Sequence, residues 1–189
     1  DPEMTTNGQV RAGLTGPSEG LALLAGGSGT IFKLWAEELH GRISIVEHPI
    51  EPGVLVPPHV HSREDQISLV LEGTVGMLVG DQTLLCPPGS YVCKPRGLPH
   101  AFWNQTSQPA RLAEICVPGG VERYMQRLFE QLIDHKGSPN PQFLHALAEE
   151  YGIRLVPELA IQLSAQHGVR LMGTRPPAGI DESAGAVRS

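Results

Sequence analysis

Three histidines have the spacing of a metal site. His59 and His61 lie two positions apart near the end of an extended run, 54–61. Side chains two apart in a β-strand point to the same face, about 7 Å apart along the chain, and strand twist lets both imidazoles reach one ion. The pair therefore predicts half of a metal site.

The third histidine follows a predicted turn. Pro95 and Gly97 would end one strand and deliver His100 on a new one, into the space that His59 and His61 face. Three neutral imidazoles bind a divalent transition metal at about 2.0–2.1 Å and leave coordination positions open, as catalysis requires. The prediction is one divalent ion held by His59, His61 and His100.

The residues around these histidines resemble the two motifs of the cupin superfamily. The first motif, Gly-x5-His-x-His-x3–4-Glu-x6-Gly, is matched by Gly53, His59, His61 and Gly73, with Gln66 in place of the glutamate. The second, Gly-x5-Pro-x-Gly-x2-His-x3-Asn, is matched throughout, by Gly89, Pro95, Gly97, His100 and Asn104. The amino-acid sequence at 57–65 and 70–73, together with a helical C-terminal part, is most similar to that of single-domain cupins of the quercetin-dioxygenase type.

This resemblance covers residues 31 to about 117 and implies a fold and a range of activities. The implied fold is a double-stranded β-helix, or jelly-roll barrel, with a metal in its mouth and frequent homodimers. The implied activities are dioxygenase, isomerase, lyase and ligand binding. Because one fold hosts all of them, the resemblance does not choose among them.

The amide at Gln66 changes the charge expected at the site. A carboxylate ligand would offset part of the ion's charge and accept a proton, whereas an amide does neither. Such a centre favours an anionic chelating substrate. Gln66 could ligate the ion weakly or hydrogen-bond to substrate or O₂. Asp65 is the rival ligand, but strand parity turns it outward with Ile67 and Leu69.

Further residues complete the candidate site. Glu47 and Glu114, on strands flanking the barrel, are candidates for the proton transfer that Gln66 cannot perform, although each could instead be an outward, solvated carboxylate. Strand parity with the motif residues predicts four substrate-binding positions: Leu55, Ser68, Val70 and Phe102.

The function favoured by these residues is a metal-dependent oxygenase. Iron(II) is the preferred ion, with nickel, manganese, copper and zinc as alternatives, and the substrate is a small enolic, phenolic or thiol chelator that reacts with O₂. One alternative is a non-oxidative cupin isomerase, cyclase or lyase that uses the ion as a Lewis acid. The other is a small-molecule-binding cupin without catalysis.

The elements that must position the site follow from periodicity. Short alternating runs separated by Gly and Pro predict about eight strands between residues 31 and 118, an all-β barrel. Helical spacing of apolar residues predicts C-terminal helices in 119–168. Residues 1–30 are an N-terminal segment, of which 1–3 look like a tag remnant, and 169–189 have the composition of a tail.

Composition excludes several classes of protein. The 189 residues include 22 Gly and 17 Pro, which disfavours a helical bundle, and 40% hydrophobic with 18% charged residues disfavours disorder. A net charge of −6 argues against nucleic-acid or anionic-membrane partners. No run resembles a membrane span or a signal peptide, so a cytoplasmic chain is expected. Its partners would be a small-molecule substrate and a second copy; Ile67, Leu69 and Leu71 need cover from the C-terminal helices or from that second subunit.

Overall fold

The computed structural model describes residues 13–136 and 140–174. Within these ranges the strands are β1 Leu21–Ala25, β2 Ser28–Leu34, β3 Ser44–Ile50, β4 Val54–His61, β5 Asp65–Glu72, β6 Val75–Val79, β7 Gln82–Cys86, β8 Tyr91–Lys94, β9 His100–Trp103, β10 Ala110–Val117, β11 Ile153–Leu155 and β12 Arg170–Leu171. The helices are α1 Glu122–Asp134, α2 Pro141–Glu150 and α3 Pro157–His167, with a single 3-10 turn at Ala36–Leu39. None of these helices is long and apolar enough to cross a membrane.

Two sheets form the body of the molecule. One has the order β1-β2-β3-β10-β5-β8 and the other β11-β4-β9-β6-β7, with β12 parallel to β4. The other strand pairs are antiparallel, and sequence-distant strands such as β10 and β5 are neighbours, as in a jelly roll. The predicted all-β barrel with C-terminal helices is confirmed.

The eight predicted strands correspond to β3 to β10. The sheets also recruit segments from outside the predicted barrel. The β1–β2 hairpin, residues 21–34, begins in the predicted N-terminal segment and extends one sheet. Strand β4 of the other sheet pairs with β11, which comes from the predicted helical part, and with β12, which comes from the predicted tail. The predicted tag remnant, 1–3, and residues 175–189 of the tail lie outside the described residues.

Alternation on β5 decides which side chains enter the barrel. Gln66 and Ser68 are 2% and 0% exposed, whereas Ile67 and Leu69 are half-buried on the outer face. Asp65 also turns outward, where its carboxylate accepts hydrogen bonds from the Arg96 side chain at 2.7 and 3.1 Å. Strand β5 therefore presents Gln66, and not Asp65, to the interior.

A bulge in β4 changes the parity of that strand. Val56 pairs with Phe102 and His59 with His100, so β4 has one more residue than β9 between these pairs. As a result Val56 faces inward with the histidines. Leu55 is buried against the outer side of the sheet, in a cluster with residues of α3. The prediction that Leu55 binds substrate was wrong, because it assumed unbroken alternation from residue 55 to 61.

Helix α1 is attached to the barrel by a buried glutamate at its start. The Glu122 carboxylate accepts hydrogen bonds from the backbone N–H groups of Ala36, at 2.9 Å, and Gly120, at 2.7 Å. Helix α1 packs mainly on β1 and β2, while α3 packs on β4. Helix α3 begins with Pro157 and ends at Gly168, whose φ of +64° is the left-handed conformation that favours glycine.

Candidate metal centre

The three histidines meet inside the barrel. One ring nitrogen from each can be chosen so that all three atoms lie within 4.8 Å of one another. The ring centroids of His59 and His100, which face each other across β4 and β9, are 4.5 Å apart, and those of His59 and His61 are 4.9 Å apart. The structure thus brings together the three residues that the sequence analysis assigned to one ion.

Hydrogen bonds at the outer nitrogens fix the orientation of two rings. His59 Nδ1 is 2.7 Å from the Pro57 carbonyl oxygen, and His61 Nδ1 is 3.1 Å from the Glu64 carboxylate. Both partners can only accept, so each Nδ1 carries the proton and donates. The two Nε2 atoms, 3.1 Å apart, therefore direct lone pairs at each other.

Facing lone pairs need a positive charge between them. Burial, and then the neighbouring His61, lower the pKa of His59 to about 3, which opposes protonation of that ring at neutral pH. Two nitrogens bound to one cation at about 2.0–2.1 Å can lie this close. The arrangement fits a divalent ion.

Three more buried polar atoms, on two residues, point to the same conclusion. Among the described residues, neither ring nitrogen of His100 has a hydrogen-bond partner, and the Gln66 amide oxygen has none. The Gln66 amide nitrogen is 3.5 Å from the Cys116 sulfur. Buried polar groups are normally paired, so an imidazole and an amide oxygen left free beside two convergent imidazoles match the donors of a metal site.

Glu114 lines the cavity next to the histidines, but it has a cationic partner. Its Oε1 lies 2.5 Å from Nζ of Lys94, and both residues are 1% exposed. Ser68 Oγ is 3.4 Å from the same carboxylate. Lys94 was not predicted as a site residue. It pairs with the inward Gln66 across β5 and β8, a register that a sequence alone does not reveal.

Glu47 points away from the cavity. It lies on the outer face of β3 and forms an ion pair with Arg111, which also bonds to Glu72 at 2.7 Å. The candidate role of Glu47 in proton transfer is therefore corrected: inward positions of β3 are the even-numbered ones, including His48.

His48 is a second cavity residue that the sequence analysis missed. Its Nδ1 donates to the Gly29 carbonyl oxygen at 2.7 Å, and its ring centroid is 5.5 Å from that of Phe102. Burial lowers the pKa of His48, which keeps the ring neutral. Its inward parity on β3 was the available signal.

One part of the barrel interior is packed with apolar side chains, and another part is a cavity. An apolar cluster that includes Val70, Met77 and Leu112 fills one part, while a cavity of about 560 Å³ extends from the histidines to the C-terminal helices. Of the four predicted substrate-binding residues, only Phe102 lines this cavity. Ser68 and Val70 face inward as expected but do not line the cavity: Val70 lies in the apolar cluster and Ser68 lies behind Glu114, 3.4 Å from its carboxylate, so their predicted role is corrected.

Glu64 offers a test of the outer hydrogen bond. Glu64→Ala is expected to weaken metal binding about 10- to 100-fold, because His61 loses the acceptor that orients its ring. Glu64→Gln keeps an acceptor oxygen and should lose less. Competition with a chromophoric chelator would measure both; equal affinity in Glu64→Ala and the parent would contradict this role.

Solved structures resemble the chain at low sequence identity. The polyketide cyclase RemF from Streptomyces resistomycificus superposes with a TM-score of 0.50 at 24% identity, covering 57% of this chain and 80% of that one. TT1209 from Thermus thermophilus has 32% identity and a TM-score of 0.40, covering 41% of this chain and 74% of that one. The likeness to RemF agrees with the jelly-roll fold.

Comparisons of sequence find similarity in the region that carries the histidines. A germin-like protein, subfamily T member 2, from Arabidopsis thaliana is 39% identical over 66 residues, which are 32% of this chain and 30% of that protein. The matched region thus spans less than a third of this curated relative. Residues 47–118 match the cupin domain family model. This part of the chain, which carries all three histidines, is therefore similar to cupin domains.

Proposed function

We propose that this protein is a metal-dependent oxygenase that acts with O₂ on an enolic, phenolic or thiol chelator. The observation that carries the proposal is the pair of Nε2 lone pairs of His59 and His61, held 3.1 Å apart beside the unpaired imidazole of His100. Iron(II) is the preferred ion over nickel, manganese, copper and zinc. When bound, it would order the two reactants and carry charge between them.

The chain's own residues would bind and shield the substrate. The three histidines would hold the ion to which the chelating end of the substrate binds inside the barrel, and the Phe102 ring would pack against the part of the substrate next to it. The apolar walls exclude water from the reaction. Glu114, which lines the cavity and is paired with Lys94, is the proposed group for moving a substrate proton.

Gln66 is proposed as a weak fourth ligand or as a hydrogen-bond partner of the substrate. Gln66→Glu places a carboxylate at the unpaired amide oxygen and is expected to raise metal affinity about tenfold or more. Gln66→Leu, a control of similar volume without the oxygen, should lower it. Metal affinity unchanged in both variants would show that residue 66 does not face the ion.

A non-oxidative isomerase, cyclase or lyase is the second candidate. The buried Lys94–Glu114 pair favours it, because such reactions need a proton donor and acceptor beside a polarised substrate.

One set of assays separates the candidates. The protein would be purified without chelators or nickel resin, analysed for metal, and given enolic, phenolic and thiol compounds in an oxygen electrode. Oxygen uptake that requires His100 supports the oxygenase, and turnover under argon supports the second candidate. Ligand binding without metal or turnover would support a binding protein and overturn both.

We also infer a homodimer through the outer face of the β3-β10-β5-β8 sheet. The strand register places Ile45, Ile115 and Ile67 in one row across three strands, and Leu69 is next to Tyr91, which is 73% exposed. This apolar patch, which borders the Glu47–Arg111 ion pair on the same face, favours burial against a second surface. Light scattering should give twice the chain mass of 20.3 kDa; a monomeric mass would overturn the inference.

A further inference from the structure

The cavity above the histidines has an apolar wall supplied by the C-terminal helices. Its volume of about 560 Å³ is in the range of sites that hold drug-sized ligands. Helix α1 contributes five large side chains, and α2 contributes Leu144; the α1 residues are Tyr124, Met125, Leu128, Phe129 and Leu132. A short polar substrate would leave this wall without contacts.

Lining residues from the α3 and β12 region are apolar as well and continue to the surface. Val156, Ala160 and Met172 line the cavity there. At its rim, Leu155 is 42% exposed and Ile161 is 74% exposed. Because these side chains extend the internal apolar lining outward, they form an apolar entrance and not isolated surface residues.

The charged and ion-binding groups of the cavity lie at its barrel end. They are the three histidines and the Lys94–Glu114 pair, whose charges offset each other. A divalent ion held by neutral imidazoles would therefore leave this end positive. The cavity thus joins a site for one anionic, chelating group to a large apolar chamber.

We propose that the ligand is an amphiphile with one anionic chelating head and a bulky apolar body that packs between α1 and α3. The inference deepens the proposed function and rests on its metal site. The helices that form the apolar wall lie outside residues 47–118, the part that matches the cupin domain. The C-terminal part of the chain, and not the cupin domain, would therefore select the body of the ligand.

Hydroxamic acids of different length provide the probe, because the head chelates a metal while the tail varies. Zinc-loaded protein, which does not reduce O₂, would be titrated calorimetrically with acetohydroxamic and octanohydroxamic acids. Each buried methylene strengthens binding about fourfold, so the six extra methylenes should give at least about a 100-fold gain. Equal affinities for the two acids would overturn the inference.

A matched pair of variants locates the tail. Ile161→Asp places a charge at the apolar entrance and should reduce octanohydroxamate binding by about tenfold or more without affecting acetohydroxamate. Ile133→Asp is the control, since Ile133 is 44% exposed on α1 and does not line the cavity. Equal losses in both variants, or none in Ile161→Asp, would contradict the assigned position.

The titrations also separate this inference from the proposed function. A defective metal site abolishes the binding of both acids and overturns the inference together with the function. If the apolar chamber is assigned incorrectly, acetohydroxamate will still bind, but affinity will not increase with the length of the acid. If affinity increases with the length of the acid but the protein shows no oxygen uptake, the result would support the ligand class and overturn the oxygenase.

Discussion

Replacing His100 with alanine should remove the metal while leaving the barrel folded. His100 supplies one of three imidazoles, and its two ring nitrogens have no hydrogen-bond partner among the described residues. The substitution therefore breaks no hydrogen bond that stabilises the fold. Loss of an outer hydrogen-bond partner already weakens metal sites about 10- to 100-fold, so loss of a ligand should exceed about 100-fold. Metal content after dialysis should fall from one ion per chain to near zero, with turnover lost in parallel.

His48→Ala is the matched control for this experiment. His48 is also a buried imidazole that lines the cavity, but its Nδ1 is occupied by the Gly29 carbonyl and it lies outside the triad. This variant should retain the ion, at the cost of one buried hydrogen bond. Equal metal loss in both variants would mean that the ion depends on general packing of the cavity, and metal retained in His100→Ala would remove His100 from the site.

Local alternation was enough to predict that His59, His61 and Gln66 face the barrel interior, while His100 was assigned by the turn before it and by the resemblance to the second cupin motif. His59 and His61 share a face because they are two apart on a strand, and Gln66 displaces Asp65 from the interior by the same rule. Gly97, at a φ of +83°, adopts a conformation that favours glycine in the turn before His100. Each of these features depends on a few consecutive residues.

Features that depend on distant segments were not predictable. The bulge in β4 is defined by pairing with β9, so Leu55 and Val56 exchanged faces relative to the expected pattern. Glu47 and Glu114 both lie on predicted strands and could not be distinguished from the sequence. In the structure, Glu47 pairs with Arg111 on the outer face, whereas Glu114 pairs with Lys94 in the interior. The apolar wall is built by helices whose packing stripe gave no sign that it faces a cavity.

Lys94→Met should be the most destabilising substitution near the site. It would leave the Glu114 carboxylate, which is 1% exposed, without a counter-charge in the barrel interior. Removing one partner of a buried ion pair costs about 3–5 kcal/mol, because the remaining charge is neither solvated nor paired. Urea unfolding followed by circular dichroism would measure this loss. A change below about 1 kcal/mol would show that water reaches Glu114.

The double variant Lys94→Met/Glu114→Leu distinguishes stability from chemistry. Replacing both charges with apolar groups of similar size is often neutral or stabilising, so the double variant should recover most of the loss in the free energy of unfolding. Its metal content should stay near that of the parent, since the three histidines are intact. If Glu114 moves a substrate proton, this stable, metal-loaded protein will nevertheless turn over slowly. Full activity would assign the pair a purely structural role and leave proton transfer to the substrate or to solvent.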